Sequence, residues 1–138
     1  YQALERVINL CPDGERAHLY MDLSINLQAI VSQRLIPHVS GSGFVPAIEV
    51  MLNSPLISEL ILKGEIHEIR EAIEKSTDEG MITFDQSLFG LHERGLISYE
   101  DAMRSADSLN NLRLKIKLEG REARAKKNLG STFSGLEV

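Results

Sequence analysis

The side chains from which a reaction centre could be assembled are few and scattered in this sequence: Cys11, and His18, His38, His67 and His92, each in a different segment. A thiol becomes a nucleophile when a neighbouring base lowers its pKa, and a zinc site needs further cysteines or histidines at short spacing. Cys11 stands alone before Pro12, where packing at a helix end explains it better than catalysis. The run STDEGMITFDQSLF, residues 76–89, imitates a calcium loop. Setting Gly80 at the sixth loop position puts Lys75 at the first ligand position and Gln86 at the twelfth. A cation then stands where a carboxylate is required, and the bidentate glutamate is missing. Around Gly95 the same exercise puts Gly90, His92 and Arg94 in the first ligand positions, a plainer failure. Both stretches read as glycine turns leading into capped helices. The chain contains no glycine-rich phosphate loop ending in Lys-Ser/Thr, no Gly-x-Gly-x-x-Gly turn and no Gly-x-Ser-x-Gly elbow.

The elements that would position such residues are mostly helical. Ala3, Leu4, Val7 and Ile8 form one stripe that stops before Pro12, and Asp13 is placed to cap a second helix carrying Leu19, Leu23, Leu27 and Ile30. AIVSQRLIP and FVPAIEVML are rich in valine and isoleucine and flank the turn residues Ser40-Gly41-Ser42-Gly43, which predicts a pair of strands, with Pro37 and Pro46 at edge or end positions. Ser54 and Pro55 start a helix that ends at Gly64, with Leu56, Ile57, Leu60 and Ile61 inward and Ser58 outward. Ile66, Ile69 and Ile73 stripe the next helix. Thr83 and Gln86 form a capping box for a helix burying Phe84, Leu88 and Leu91, and Ser98 caps a short one through Ala102 and Met103. Leu109, Leu112 and Ile116 suit a final helix, although Leu112, Leu114, Ile116 and Leu118 also alternate as a strand would. Beyond about residue 120, composition predicts a flexible tail.

Length and composition, 138 residues with 43% apolar and 25% charged, fit one globular domain or a large piece of one. No apolar run approaches the roughly 18 residues that span a bilayer, so no transmembrane segment is expected. The single cysteine fits a reducing, cytoplasmic compartment. The net charge of -5 is unevenly spread. Residues 1–112 carry 8 basic and 17 acidic side chains, whereas 113–127 carry seven basic ones against Glu119 and Glu122. That basic arm reads either as a contact for an acidic partner or anionic surface, or as a solvated helix end. No nucleic acid is expected, because no aromatic residue interleaves the arm before Phe133.

The ordered blocks ALERVINLCP, LSINLQAIVSQRLIP, AIEVMLNSPLISELILKGEIHEI and GMITFDQSLFGLHERGLISYEDAM resemble, over roughly the first 118 residues, the type IV pilus retraction ATPases of the PilT/PilU family. The tail DSLNNLRLKIKLEGREARAKK looks more like the PilU branch. Where PilT-like members read Ala-Ile-Arg-Asn-Leu-Ile-Arg-Glu, this chain has Leu56 to Lys63; Ile57, Leu60 and Ile61 keep the apolar pattern, and both arginines are replaced. Where PilT often has His-Glu, this chain has Ile48-Glu49.

The resemblance implies an α/β, mostly helical piece. Residues 1–53 would end a RecA-like ATPase domain with two helices and a short strand pair, 54–119 would form a C-terminal helical bundle, and 120–138 a basic tail. It implies a parent protein that binds ATP and magnesium, works as a homo-hexamer beside a PilT-like motor and the inner-membrane platform protein, and sits at the cytoplasmic face of the inner membrane at the pilus base. It drives pilus retraction and twitching motility as an accessory motor. The phosphate loop would lie upstream, leaving this chain without cofactor or catalytic residue. Gln33, Arg34 and Glu49 are candidates for subunit-interface or relay contacts, or equally for ordinary surface positions beside a buried strand. Two rival readings stand beside the resemblance: a non-enzymatic module binding a partner through the helices of 54–75, and a small enzyme using Cys11.

Overall fold

The computed structural model describes residues 1–119, so the tail expected at 120–138 lies outside the described residues. The chain opens with α1 (Gln2–Leu10), a 3-10 turn (Asp13–Glu15) and α2 (Arg16–Asn26), and continues in β1 (Ala29–Pro37) and β2 (Phe44–Leu52). It closes with α3 (Pro55–Lys63), α4 (Ile69–Lys75), α5 (Phe84–Glu93), α6 (Tyr99–Ser105) and a helix over 109–119, here α7.

Several boundaries follow from local chemistry. The Ser54 hydroxyl accepts the Ile57 N–H and Pro55 fills the first helical position of α3. Gly64 ends that helix at φ 75°, and a Cβ there would lie 3.1 Å from the Tyr20 ring, so the end of α3 approaches α2 as only glycine allows. Thr83 and Gln86 make the reciprocal capping box of α5, and Ser98 accepts the Asp101 N–H at the start of α6. In α7, Leu112 is buried and Ile116, one turn on, packs against the same cluster, whereas Leu114 and Leu118 are exposed. The helical period therefore prevails over strand-like alternation.

Four expectations differ from the structure, the first being that Leu56, expected inward on α3, is exposed while Ile57, Leu60 and Ile61 are buried. Asp13 does not cap α2 but lies in the 3-10 turn after Pro12, paired with Arg16. α2 stops at Asn26, so Ile30 belongs to β1 rather than to a helical stripe. The reason is that the amide of Asn53 donates to the carbonyls of Ser24 and Leu27, satisfying the orphan acceptors of the helix end. Ser58 does not point outward, because its hydroxyl donates to the Ser24 carbonyl at 2.7 Å and ties α3 to α2.

The strands pair antiparallel from Ala29 opposite Leu52 to Pro37 opposite Phe44, and a bridge between Val50 and Ile82 extends the far edge of β2. One face of this two-stranded sheet feeds two cores. Met51 joins Leu4, Ile8, Ile57, Ile61, Ile69 and Ile73 in the first. Ile36 and Ala47 join Phe84, Leu88, Ile97 and Leu112 in the second. Each core combines residues from both sides of position 53.

Two substitutions test this packing. Leu60, 6% exposed, should cost about 2–5 kcal/mol as Leu60→Ala, the usual penalty for emptying a leucine site. Ser58→Arg should cost about 1–2 kcal/mol through the lost hydrogen bond to α2. Urea unfolding measures both, and an unchanged stability for Ser58→Arg would show that the Ser24 contact contributes nothing.

Candidate functional site

In the sheet register Ser32 lies opposite Glu49 and Arg34 opposite Ala47. Side chains alternate along a strand, so Arg34 and Glu49 share the face turned to the helices, and Gln33 leaves on the other face. An open groove of about 220 Å³ runs between α1 and the edge of the sheet. It is bordered by Gln2, Ala3 and Arg6 of α1, by Ser32, Gln33 and Arg34 of β1, by Glu49 of β2 and by Phe84 of α5. All three sequence candidates border it.

Arg34 is the most heavily engaged of them. Its Nη1 lies 2.8 Å from Asp107 Oδ1 and donates to the Ser105 carbonyl at 2.9 Å, while Nη2 donates to Gln2 Oε1 at 3.3 Å. The guanidinium carbon sits 4.0 Å from the centroid of the Phe84 ring. A planar cation that divides its donors between a carboxylate, a carbonyl and an amide oxygen while stacking on an aromatic face is a task for arginine and not for lysine. The acidic group that Arg34 reaches belongs to its own chain; the Asp107 side chain is 9% exposed and that of Arg34 32%.

Glu49 is 2% exposed. Its Oε1 accepts from the terminal ammonium of Tyr1, and its Oε2 has no hydrogen-bond partner among the described residues. A buried carboxylate oxygen without a donor is unfavourable. Burial pushes the nearby Tyr1 phenol above its ordinary pKa; the Gln2 hydrogen bond opposes this, and the charges of Asp107 and Glu49 add to it against that of Arg70.

Sequence reasoning missed Asp85 and Asp107. Asp85 accepts from Arg70 Nη2 at 2.8 Å and from the backbone N–H groups of Asp107 at 2.8 Å and Ser108 at 3.0 Å. A first-turn aspartate after a capping threonine reads as solvated, and nothing in its neighbours reveals that residues 107–108 fold back over it. The residues first considered for chemistry stay apart. His38 bonds Ser40, His92 packs edge-on against Tyr99, and Cys11 is the C-cap of α1. In the calcium-like run, Thr77–Glu79 form a 3-10 turn closed by Gly80 at φ 89° before the Thr83 cap. The groove thus offers charged and amide groups for contact, and no nucleophile paired with a base.

A double-mutant cycle between Arg34→Ala and Asp107→Ala should return a coupling of about 1–2 kcal/mol, within the range for contacting charged residues. Strict additivity in denaturant unfolding would mean that the pair is a surface contact without energetic weight. Asp85→Ala, which strips three donors of their acceptor, should cost about 3 kcal/mol in the same measurement.

No protein-family model matches the chain. It is 50% identical over 137 residues to the type IV pilus ATPase PilU of Pseudomonas aeruginosa, covering 99% of this chain and 35% of that protein. Against the type IV pilus retraction ATPase PilT of the same organism it is 37% identical over 105 residues, covering 76% of this chain and 30% of the relative. Among solved structures, the pilus retraction motor PilT with bound ADP superposes with a TM-score of 0.71 at 28% identity, over 81% of this chain and 31% of that one. The chain therefore spans about a third of the length of the curated relatives it matches, and its fold is that of the C-terminal part of a RecA-like ATPase.

Proposed function

The chain belongs to the PilT/PilU family of type IV pilus ATPases, as a C-terminal part, and from that membership we propose that it serves an ATP-driven pilus-retraction motor of the PilU kind. The observation that carries this reading is the 50% identity to PilU along 99% of the chain, against 37% to PilT over 76%. The replaced arginines at Ser58 and Leu62 point the same way. In this reading the whole protein is a hexameric ATPase that supports twitching motility beside a PilT-like motor. It works on the cytoplasmic side of the inner membrane, against the platform protein of the pilus base. Among the described residues no helix is long and apolar enough to cross a membrane.

Nucleotide and magnesium belong to segments outside this chain. A phosphate loop supplies backbone donors and a lysine, and an acidic segment holds the metal; residues 1–138 contain no such loop. The residues present do not fit ATP, and no catalytic step is assigned to them. Residues 1–53 complete the RecA-like core and 54–119 form the helical subdomain, with the two shared hydrophobic cores making a stiff junction. Gln33, Arg34 and Glu49 border the groove that a neighbouring subunit would meet. The rival interaction module would have only Leu56 and Leu62 of α3 exposed for docking, since Ile57, Leu60, Ile61, Ile69 and Ile73 are buried in the chain's own core.

Phosphate release separates the readings. The full-length protein should hydrolyse ATP and carry Gly-x-x-x-x-Gly-Lys-Ser/Thr upstream of Tyr1, whereas the purified 138-residue chain should match a protein-free blank. Turnover by the chain alone, or a full-length protein lacking the loop, would sink the proposal.

A further inference from the structure

Helix α7 turns apolar side chains in two directions. Leu112 is buried and Ile116 packs beside it in the second core, whereas Leu114 and Leu118 are 57% and 50% exposed. Each of the exposed pair follows a core residue by two positions, about 200° of helical turn. Leu114 and Leu118 therefore stand one turn apart on the side away from the core. The charges around them are of one sign. Arg113 and Lys117 are exposed on one flank, and on the other the Lys115 Nζ lies 5.0 Å from the centroid of the Phe89 ring. No acidic residue stands between Ser108 and Glu119, in a chain whose residues 1–112 carry 17 acidic side chains against 8 basic. The exposed Leu56 and Leu62 of α3 differ in this respect, because Glu59 and Lys63 on the same helix pair with each other.

We propose that this face of α7 binds the surface of an anionic lipid bilayer, its leucines entering the headgroup boundary and its basic groups meeting lipid phosphates. A plane of negative headgroups suits leucines bordered by cations on both flanks, because long basic side chains bury their stems and raise their charges to the interface. A protein partner fits less well. The described helix is about 16 Å long with an outer face roughly 10 Å wide, an area on the order of 160 Å². Each side of a stable protein interface buries roughly 800 Å². A bilayer needs no shaped counterpart and responds to summed charge, and the sequence supplies Arg121, Arg124, Lys126 and Lys127 after residue 119. This contact uses no nucleotide chemistry, so its failure would leave the motor reading untouched.

Vesicle co-sedimentation of the full-length protein tests the contact. Vesicles of phosphatidylglycerol and phosphatidylcholine in equal parts should bind at least tenfold more tightly than phosphatidylcholine alone, and high salt should weaken that binding. Reversing charge with Arg113→Glu and Lys117→Glu together should reduce binding to the anionic vesicles at least tenfold. Leu114→Ser with Leu118→Ser should reduce it at least fivefold, and Lys63→Glu, an exposed change on α3, should leave it within twofold. Circular dichroism checks that each variant is folded; if the charge reversal unfolds the protein, Arg113→Gln with Lys117→Gln should still lower the affinity in the same direction. Equal binding to both vesicles, or anionic binding unchanged in either pair of α7 variants, would overturn the proposal. Loss with the charge variants but not the leucine variants would overturn it as well, since the helix would then insert nothing. Unchanged vesicle binding with altered self-association in sedimentation velocity would overturn it in favour of a second copy of the chain as the occupant.

Discussion

A carboxylate taken out of water needs hydrogen bonds in return, and Asp85 receives three, from Arg70 and from the backbone of Asp107 and Ser108. The backbone donors matter most for the architecture. They hold the link between α6 and α7, which has no regular structure of its own, at the start of α5. Once residue 107 is placed, its side chain is in position to meet Arg34 of β1. The hairpin, α4, α5 and the α6–α7 link are thereby joined through one buried acid, although they are far apart in sequence.

That polar junction works together with the division of the hydrophobic core. A two-stranded sheet is too small to be stable in isolation, and this one gains stability by giving one face to two clusters at once. Met51 enters the cluster built with α1, α3 and α4, while Ala47 and Ile36 enter the cluster built with α5, α6 and α7. Arg34 and Glu49 sit on the same face between those contributions. Apolar burial orients the helices on either side, and the charged residues set the hairpin's position relative to both.

Local features of this fold were legible in the sequence because local chemistry decides them. The caps at Ser54, Thr83 and Ser98, the glycine stops and both strand spans need only neighbours a few residues away. What sequence could not show depends on distant partners. The end of α2 is set by Asn53, 27 positions after Asn26, and Ser58 turns inward because it meets a carbonyl of α2. Arg34 and Glu49 were identifiable as polar residues within an apolar strand pair. The acid facing Arg34 was not, since Asp107 becomes its partner only through the fold held by Asp85. Family membership was legible for a different reason: it rests on the order of many weak blocks and needs no single catalytic motif.

In the motor reading proposed above, this part of the protein would contribute by connecting segments that carry the chemistry. Here one line of polar contacts runs from Gln2 on α1 to Arg34, from Arg34 to Asp107, and through Asp85 to Arg70 on α4. The Arg34–Asp107 step is an ion pair and the others are charge-assisted hydrogen bonds, with a preferred direction that an apolar contact lacks. Arg34 is where this line meets α1, beside the groove where a neighbouring subunit would dock in the motor reading. The same line reaches the helical half without crossing either hydrophobic core. The polar line and the two apolar cores are thus separate sets of contacts joining the hairpin to α4.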